Sequence, residues 1–478
     1  MTTPPAATDT IDRLRPAIEA AGQGHVLAFA QGLAPDSAAR FARELAAIDW
    51  PTLPGIIDRY REAGVMESLD DLQPPVVCCA CPVGQDVAID SDKARQAGLD
   101  LIAQGRVAAL TVAGGQGTRL GFDGPKGTLP LGPASGRTLF EVFADQIAAA
   151  SRWAGRPISW LIMTSPQNDE QTRSFFESKG WLGLDRGQVR FFQQGVMPSF
   201  CPMTGRLLLA GEGQLATNPD GHGGVIGALV RSGHLDELER AGVQHLSYFQ
   251  VDNPLVPPLD PVFLGAHAGA GGAPSSGEFS SKMVAKASAD EKVGVFARLR
   301  GRTQVVEYSD MPAALSAATD ESGNLRFEAG SVAIHAASLA FLRSIHEAGE
   351  AALPFHRAFK KVPHLDPDTG ERVEPNEPNA VKLERFVFDA IPIAKEPLVL
   401  RVERSREFAP TKNATGVDSV ESAKTLQSER AAQWLLQSGS AAPEGCTLEL
   451  SGEASWADIA GLDYRPSASP KPGQSAVL

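Results

Sequence analysis

Short apolar runs alternate with amphipathic segments along most of the chain. The runs at 107–113, 158–163 and 246–251 are bounded by glycine or polar residues, which predicts buried strands. Segment 138–148 carries apolar residues at helical spacing, which predicts an amphipathic helix. This alternation of strands and helices is typical of a mostly parallel sheet that is covered on both faces.

The regions on either side of this pattern differ in character. Residues 11–70 carry apolar positions at helical spacing, which predicts a helical N-terminal region. A further helix is predicted over 419–436, and the Pro/Ser-rich tail from Pro466 is predicted to be disordered. We therefore predict three parts: a helical region over 1–104, a central domain over 105–390 and a C-terminal domain with the disordered tail over 391–478.

Length and charge exclude several classes of protein. A chain of 478 residues is long enough for about two or three domains with sizeable cores. The formal net charge of −13 argues against a general nucleic-acid-binding protein, which needs a basic face. No apolar run reaches the roughly 18–20 residues that span a bilayer, and Met1–Thr10 lacks the pattern of a signal peptide. We therefore expect a cytoplasmic protein without nucleic-acid or membrane partners.

The cysteines agree with that location. Five cysteines in a chain of this length do not form a disulfide framework. Cys78, Cys79 and Cys81 cluster, but no matching pair of histidines or cysteines lies nearby to complete a zinc site. We expect these thiols to be reduced and partly buried.

The most informative segment follows the first predicted strand of the central domain. Glycine occupies positions 114, 115, 117 and 121, and two cations, Arg119 and Lys126, lie in the same segment. Glycine-rich backbone can bring its N–H groups against an anion and can adopt positive φ values. The pattern predicts a phosphate-binding loop; the alternative is a tight turn whose basic side chains are solvated.

Single residues exclude two common phosphate-binding motifs. The dinucleotide fingerprint G-x-G-x-x-G, counted from Gly115, needs glycine at position 120, where this chain has Leu120. A Walker loop needs Gly-Lys-Ser/Thr, whereas Lys126 lies between Pro125 and Gly127. Leu120 also counts against a nicotinamide-dependent dehydrogenase, which is one rival interpretation of the fold.

The segment from Ala113 to Leu120, followed by Pro125-Lys126-Gly127, resembles the signature of nucleotidyltransferases that make nucleotide sugars. In its longer form it is similar to the eukaryotic-type UDP-sugar pyrophosphorylase (UDPGP type 1) family, with the N-acetylglucosamine branch the most similar. Matching blocks recur in order from about residue 105 to about residue 415. The resemblance implies an α/β, Rossmann-like nucleotide-diphospho-sugar transferase fold with a mixed central sheet, a helical N-terminal region and a small C-terminal domain.

The resemblance also implies which residues bind the nucleotide. They are the backbone after the first strand, a glutamine that contacts uracil, a loop glycine and a lysine: Val112, Ala113, Gly114, Gly115, Gln194, Gly221 and Lys382. A glutamine amide suits uracil because it both donates and accepts hydrogen bonds. Without the resemblance, Gln194 is also compatible with an exposed polar position in a loop.

Four residues are implied to contact the sugar: His222, Glu307, Tyr308 and Ser331. Glu307 can accept two hydroxyl hydrogen bonds, and Tyr308 can cover an apolar sugar face. The N-acetylglucosamine branch has asparagine at the position of His222, and relatives have asparagine at the position of Ser331. Histidine at 222 is more typical of the UDP-glucose and broad-specificity branches; a structural histidine is the alternative.

Charged residues complete the implied site. Asp252 follows a predicted buried strand and matches the family's Val-Asp-Asn, which implies a ligand of Mg²⁺; an N-cap or turn aspartate is the alternative. Arg119 and Lys126 are implied to stabilise the departing pyrophosphate, and Lys412 to neutralise charge near the α-phosphate. No Ser-His-Asp unit is recognisable, and none is required, because the attacking phosphate oxygen is already anionic.

The implied activity is uridylyl transfer in a catalytic nucleotidyltransferase domain at 105–390. UTP and a sugar 1-phosphate give UDP-sugar and pyrophosphate, with N-acetylglucosamine 1-phosphate as the favoured sugar. His222 and Ser331 favour the alternative of glucose 1-phosphate or a broad sugar range. A non-catalytic regulator that binds nucleotide sugars is a further alternative, but it has no use for cations that face pyrophosphate. A monomer or a homodimer is expected.

Overall fold

A computed structural model describes residues 7–62, 64, 68–84, 86–211, 213–349, 352–466 and 470–478. The α-helices are α1 Ala7–Ala20, α2 Gly24–Gln31, α3 Pro35–Ala46, α4 Leu53–Tyr60, α5 Ser91–Ala103, α6 Leu139–Ala154, α7 Asp169–Ser178, α8 Val225–Arg231, α9 His234–Arg240, α10 Pro261–His267, α11 Ala313–Ser316, α12 Leu339–Ala348, α13 Arg404–Glu407, α14 Val420–Gln437 and α15 Gly452–Ala460. The strands are β1 Cys78–Cys79, β2 Val87–Ala88, β3 Val107–Val112, β4 Trp160–Thr164, β5 Val189–Gln193, β6 Val196–Pro198, β7 Leu209–Gly211, β8 Gln214–Leu215, β9 Thr217–Pro219, β10 His245–Gln250, β11 Phe279–Ala285, β12 Val295–Leu299, β13 Arg302–Val306, β14 Ala329–Ser338, β15 His356–Lys360, β16 His364–Leu365, β17 Arg372–Val373, β18 Ala380–Glu384, β19 Leu398–Arg401, β20 Thr447–Glu449 and β21 Ser475–Val477.

These elements belong to two compact units. Unit 1 is formed by the described residues of Met1–Ser68, Gly195–Gly224 and Pro354–Phe386. Unit 2 is formed by the described residues of Leu69–Gln194, Val225–Leu353 and Val387–Leu478.

A mixed sheet organises unit 2. Eleven strands of the described chain join it, and its main path runs β2-β1-β19-β11-β14-β10-β3-β4-β5. Neighbours on this path are parallel, except that β14 runs antiparallel to both β10 and β11. Because β14 alone is reversed on the path, the carboxyl ends of the other strands lie at one edge of the sheet. The predicted α/β fold with a mixed central sheet is confirmed.

Burial along the strands explains their apolar composition. Every residue of β4 is buried, and so are the first five of β3. Successive side chains of a strand point to opposite faces, so such strands are covered on both sides. The helix α6 begins with a capping box between Thr138 and Glu141 and ends at Gly155, whose φ of 65° is accessible to glycine without strain.

Unit 1 combines the four N-terminal helices with small sheets. The pairs β6-β9 and β15-β18 and the four-stranded sheet β17-β16-β7-β8 all lie in it. Its apolar core includes Phe41 and Phe200, which are fully buried or nearly so. The buried amide of Gln23 joins a helical turn to a later segment: it donates to the Gly205 carbonyl at 3.0 Å and accepts from the Leu207 amide at 2.9 Å. Helices α1 to α4 lie within residues 7–60, where the helical pattern over 11–70 predicted them; residues 63 and 65–67 lie outside the described residues.

The boundaries differ from the three predicted parts, 1–104, 105–390 and 391–478. Helix α5 belongs to unit 2, because it packs closely on α10 where both helices carry glycine. A Cβ at Gly98 would lie 1.9 Å from the Pro261 carbonyl oxygen, and one at Gly265 would lie 1.8 Å from that of Ala94. Chain segments inside 105–390 also return to unit 1 twice. Packing between segments that are distant in sequence does not change the amino-acid composition at a unit boundary, so the sequence does not indicate where the boundary lies.

The C-terminal tail is partly ordered, contrary to the prediction of disorder from Pro466. Strand β21 pairs in parallel with β20, and the terminal Leu478 is buried. Leu478 packs in a small apolar cluster with Trp434 and Leu448, and this burial offsets the entropy cost of ordering the tail. Among the described residues, no helix is both long and apolar enough to cross a membrane.

Candidate active site

The glycine-rich loop leaves β3 at the carboxyl edge of the sheet and passes directly against Gln194. A Cβ at Gly114 would lie 2.7 Å from Oε1 of Gln194 and 3.4 Å from Cβ of Ser165. The side chain of Asn168 holds the loop in place, since its Nδ2 donates to the carbonyls of Ala113 at 2.9 Å and Gly115 at 3.3 Å. The loop backbone therefore stays close to the glutamine that was predicted to contact uracil.

The rest of the loop closes on itself and delivers Lys126. The backbone amide of Lys126 donates to the carbonyl of Gly115 at 3.1 Å, and the backbone amide of Gly117 donates to the carbonyl of Gly124 at 2.9 Å. Behind the lysine, Gly127 approaches the ring of Phe140 on α6 so closely that a Cβ would lie 2.2 Å from it. Helix α6, which the amphipathic segment 138–148 predicted, therefore packs behind the loop. Arg119 lies on a 3₁₀ turn of the same loop, and its side chain is exposed.

Gly114→Ala tests the close approach to Gln194. The new methyl group has to displace the Gln194 amide, so we expect KM for UTP to rise by about tenfold, equivalent to about 1.4 kcal/mol, with a smaller change in kcat. Steady-state kinetics measure this. Gly187→Ala, where a Cβ meets no atom within 4 Å, is the matched control; equal KM values in the two variants would contradict the assignment.

Lys126 and Asp252 form the charged centre of the site. Nζ of Lys126 lies 3.6 Å from Oδ2 of Asp252, and both side chains are largely buried. The same Nζ donates to the carbonyl of Thr411 at 3.2 Å. Thr411 in turn donates from its amide and its hydroxyl to the Asp252 carbonyl, at 2.9 and 3.1 Å. The structure therefore joins three distant segments around one lysine–aspartate pair.

Lys412 follows Thr411 and lies beside a carboxylate that sequence reasoning missed. Its amide donates to the carbonyl of Asp418 at 2.7 Å, and its Nζ lies 5.9 Å from the centre of the Phe408 ring. Burial raises the pKa of Asp418, Lys412 opposes that increase, and Asp252 adds to it. Asp418 also has a φ of 58°, which is uncommon for a residue other than glycine. Neither its charge environment nor its backbone conformation is visible in the sequence.

Two of the predicted sugar-binding residues in unit 2 lie together. Glu307 follows β13, and a Cβ at Gly294 would lie 3.3 Å from its Oε1. The amide of Ser331 on β14 donates to the carbonyl of that same glycine at 2.8 Å. Gly294 was not predicted as a site residue, because a single glycine in the apolar run before β12 does not indicate a function. Tyr308 is 50% exposed.

The remaining predicted residues, Gly221, His222 and Lys382, belong to unit 1. Gly221 has a φ of 84°, and a Cβ there would lie 2.2 Å from the Arg385 carbonyl oxygen. That carbonyl accepts a hydrogen bond from Gly223 at 2.8 Å, so the second glycine loop is held against the end of β18. Lys382 lies on β18, opposite Ala358 of β15. The roles of Gly221 and Lys382 in nucleotide binding and of His222 in sugar binding stay predictions from the resemblance.

His222 is stacked on an aromatic ring. Its ring centre lies 5.3 Å from that of Phe386 at an angle of 23°, and His356 lies on the same phenylalanine at 4.4 Å. Burial, with a smaller contribution from His356, lowers the pKa of His222 to about 4. The imidazole is therefore neutral at physiological pH and presents one donor and one acceptor.

This lowered pKa makes folding stability depend on pH. Unfolded histidine has a pKa near 6.5, so the unfolded chain binds a proton that the folded His222 excludes between about pH 6.5 and 4, and stability falls as pH falls through this window. We expect the wild type to lose about 1–2 kcal/mol more than His222→Asn between pH 6.5 and 4.5. Urea unfolding at both pH values measures the difference; parallel losses in the two proteins would contradict it.

Known proteins share both the sequence and the fold. Residues 82–451 match the family described as UTP–glucose-1-phosphate uridylyltransferase. UDP-N-acetylglucosamine pyrophosphorylase of Saccharomyces cerevisiae is 34% identical over 369 residues, which cover 75% of this chain and 76% of the yeast protein. UDP-N-acetylglucosamine diphosphorylase 2 of Arabidopsis thaliana is 33% identical over 436 residues, which cover 87% and 83%.

The fold is also found in a solved structure. The uridine diphosphate N-acetylglucosamine pyrophosphorylase of Trypanosoma brucei, crystallised with an inhibitor, superposes with a TM-score of 0.80 and 24% identity, covering 96% of each chain. The similarity spans both glycine loops and the Lys126–Asp252 pair, since the family match extends over residues 82–451. The chain belongs to the UTP–glucose-1-phosphate uridylyltransferase family.

Proposed function

We propose that the protein transfers a uridylyl group from UTP to N-acetylglucosamine 1-phosphate, giving UDP-N-acetylglucosamine and pyrophosphate. The observation that carries this proposal is the Lys126–Asp252 pair, 3.6 Å apart beside a glycine-rich loop at the carboxyl edge of the sheet. Ligands of α/β sheets bind at this edge. The yeast and Arabidopsis relatives carry names for the same activity.

The chain's own residues supply positioning and charge. The sugar phosphate oxygen attacks the α-phosphorus while the bond to pyrophosphate breaks, so negative charge accumulates on the leaving group. An ammonium group has three donors; Nζ of Lys126 faces Thr411 and Asp252 and can direct its third N–H to a phosphate oxygen. Arg119, exposed on the same loop, adds a second cation for pyrophosphate. Lys412 lies on the segment that begins at Thr411 and neutralises charge near the α-phosphate.

Asp252 fits the role of a magnesium ligand. Mg²⁺ prefers oxygen ligands and is usually held by one or two carboxylates together with substrate phosphates. Asp252 supplies one largely buried carboxylate, and Asp418 is close enough to influence charge in the same region. No group of three metal-ligating side chains occurs among the described residues. Substrate phosphates would supply further oxygen ligands to an ion held by Asp252. The ion, when bound, adds charge neutralisation at the phosphates.

Asp252→Asn tests the metal proposal. The amide keeps the shape but loses the negative charge, so we expect the Mg²⁺ concentration for half-maximal rate to rise by at least about tenfold, since the loss of an outer-shell partner of a metal ligand already costs that much. A chelator is expected to stop turnover in the wild type. Titration of the rate with Mg²⁺ measures the effect, and Asp123→Asn, an exposed aspartate of the glycine loop, is the control. An unchanged metal requirement in Asp252→Asn excludes this carboxylate as a ligand.

A pyrophosphate-release assay with UTP and several sugar 1-phosphates tests the function. We expect the highest kcat/KM with N-acetylglucosamine 1-phosphate. The highest value with glucose 1-phosphate, or similar values for all sugars, supports the alternative that His222 and Ser331 favour. Absence of pyrophosphate with every sugar, together with measurable binding of UDP-N-acetylglucosamine, supports a non-catalytic regulator.

We also propose that the enzyme works in the cytoplasm as a monomer or homodimer. All five cysteines are free thiols in the structure, and Cys78 and Cys79 are buried. Burial raises the pKa of the Cys78 thiol to about 11 and also raises that of Cys79. Both thiols therefore stay protonated and unreactive at neutral pH, which agrees with a structural role.

A further inference from the structure

Unit 2 contains a cavity of about 530 Å³ that none of the predicted site residues lines. Its walls include Cys79 and Arg401, the last residues of β1 and β19, and Ile89, which follows β2. These three strands are parallel neighbours, so the cavity lies at their carboxyl ends, where α/β sheets bind ligands. Its volume is in the range of small-molecule sites, roughly 300–1,000 Å³.

The cavity wall has an apolar part and a cationic part. The apolar side chains include Ile89, Pro257, Val262, Leu400, Val402 and Ile459. Four arginines also line it: Arg95, Arg401, Arg406 and Arg430. This combination suits a ligand with an apolar body and an anionic group.

Four acidic residues also line the wall: Asp260, Glu403, Glu407 and Asp458. Arg401 is fully matched, since it pairs with Asp86 at 2.7 Å and with Glu328 at 2.8 Å, whereas Arg406 and Arg430 are not. Asp260 and Glu407 both accept hydrogen bonds from the buried Lys282, at 2.5 and 2.6 Å. Arg406 and Arg430 share a single oxygen, Oδ2 of Asp458, at 2.6 and 3.5 Å. One carboxylate therefore serves two guanidinium groups.

The guanidinium groups of Arg430 and Arg95 are incompletely paired. Arg430 is only 6% exposed, yet its Nε has no hydrogen-bond partner in the part of the chain that the structure describes, and the same holds for the buried Nε of Arg95. Buried donors are normally paired. Burial lowers the pKa of the Arg430 guanidinium, Asp458 only partly offsets this, and Arg406 adds to the decrease. The only carboxylate that Arg95 contacts in an ion pair, among the described residues, is the exposed Asp92.

A short segment connects the cavity to the proposed active site. Residues 403–407 line the cavity in part, and residues 411 and 412 belong to the site. The side-chain amide of Asn253 lies between the cavity and the site. Its Nδ2 donates to the Glu407 carbonyl at 2.7 Å, and its Oδ1 accepts from the Ala409 backbone amide at 2.9 Å. Asn253 directly follows Asp252. Segment 403–409 is therefore hydrogen-bonded to the residue that follows Asp252.

We propose that this cavity is a regulatory site for a small anion with an apolar body, whose anionic group binds Arg95 and Arg430 and whose occupancy alters nucleotidyl transfer through segment 403–412. The regulatory half of this inference rests on the proposed function. The binding half does not.

Binding is tested with 8-anilinonaphthalene-1-sulfonate, which carries two aromatic groups and one sulfonate and becomes fluorescent in apolar sites. Saturating UTP and Mg²⁺ are present to cover the nucleotide site. We expect binding that Arg95→Met and Arg430→Met each weaken at least tenfold and that Val262→Trp, which fills the cavity, abolishes. Arg343→Met is the matched control, because Arg343 pairs with Asp236 and Glu239 outside the cavity.

Two results would overturn the proposed binding site. One is displacement of all probe by UTP, and the other is equal probe affinity in the Arg95→Met, Val262→Trp and Arg343→Met variants. Should Arg430→Met fail to fold, the Arg95 and Val262 variants decide. These titrations need no turnover, so they stand even if no sugar 1-phosphate is a substrate. In active enzyme at saturating UTP, we expect saturating probe to change kcat for pyrophosphate release at least twofold. The probe should leave kcat of the Val262→Trp variant unchanged. An unchanged kcat in wild-type enzyme with probe bound overturns the regulatory half.

Discussion

Replacement of Lys126 by alanine is expected to lower kcat for pyrophosphate release by roughly 10²–10³-fold, the usual cost of losing one preorganised charge contact in a transition state. Lys126 is positioned in advance: its backbone is held by Gly115, and its Nζ contacts Thr411 and lies 3.6 Å from Asp252. No reorganisation is then needed when charge develops on pyrophosphate. Single-turnover assays with UTP and N-acetylglucosamine 1-phosphate measure the loss.

The fold is expected to survive this substitution. Nζ of Lys126 lies 3.6 Å from the Asp252 carboxylate, which is beyond hydrogen-bonding distance, so the substitution removes a charge contact but no hydrogen bond to that carboxylate. We expect the free energy of unfolding to change by about 1 kcal/mol or less. Lys93→Ala, at an exposed lysine of unit 2, is the control. A rate within threefold of wild type in Lys126→Ala would remove the lysine from the mechanism.

The sequence predicted the parts of the site that reside in one short segment. The glycine density and the two cations of residues 114–126 indicated the loop, and the strand before Asp252 placed a carboxylate at the edge of the sheet. Both predictions depend on local patterns, namely backbone freedom at glycine and apolar burial in strands. The resemblance then supplied Gln194, Glu307 and Ser331, which local patterns do not single out.

The residues that the sequence did not reveal act through contacts between distant segments. Asn168 holds the glycine loop through two backbone carbonyls, and Thr411 joins Lys126 to Asp252. Asp418 and Gly294 lie beside Lys412 and Glu307, respectively. An asparagine, a threonine or a glycine in a loop has many ordinary uses, so only the folded chain shows which one is required.

The division into two compact units was not predicted, for the same reason. Residues 195–224 and 354–386 leave the central stretch and join the N-terminal helices in unit 1. Their composition resembles that of the surrounding chain, and Phe200 and Val381 are core residues like any others. The choice of partner core depends on shape complementarity between surfaces, which hydrophobic patterning does not encode.

Lys282→Met is expected to reduce the free energy of unfolding by about 3–5 kcal/mol, the usual cost of removing one partner from a buried ionic group. Lys282 is fully buried on β11 and is the hydrogen-bonded cation for both Asp260 and Glu407. Burial raises the pKa of Glu407 even with the lysine present, and Lys282 opposes that increase. Without the lysine, Asp260 and Glu407 lose the ammonium group to which both are hydrogen-bonded, and Arg430 offsets only part of their charge.

The pH dependence separates this explanation from simple loss of packing. In Lys282→Met the two carboxyl groups should bind protons more readily in the folded than in the unfolded state, so the folded state gains stability as pH falls. The difference from wild type should therefore be smaller at pH 5 than at pH 7.5. Lys286→Met is the matched control, since that buried lysine donates to the Ala289 carbonyl and the Ser316 hydroxyl, and its loss should be about 1 kcal/mol. Equal losses at both pH values in Lys282→Met would show that methylene packing, rather than the charge on Nζ, holds α10 and α13 beside β11.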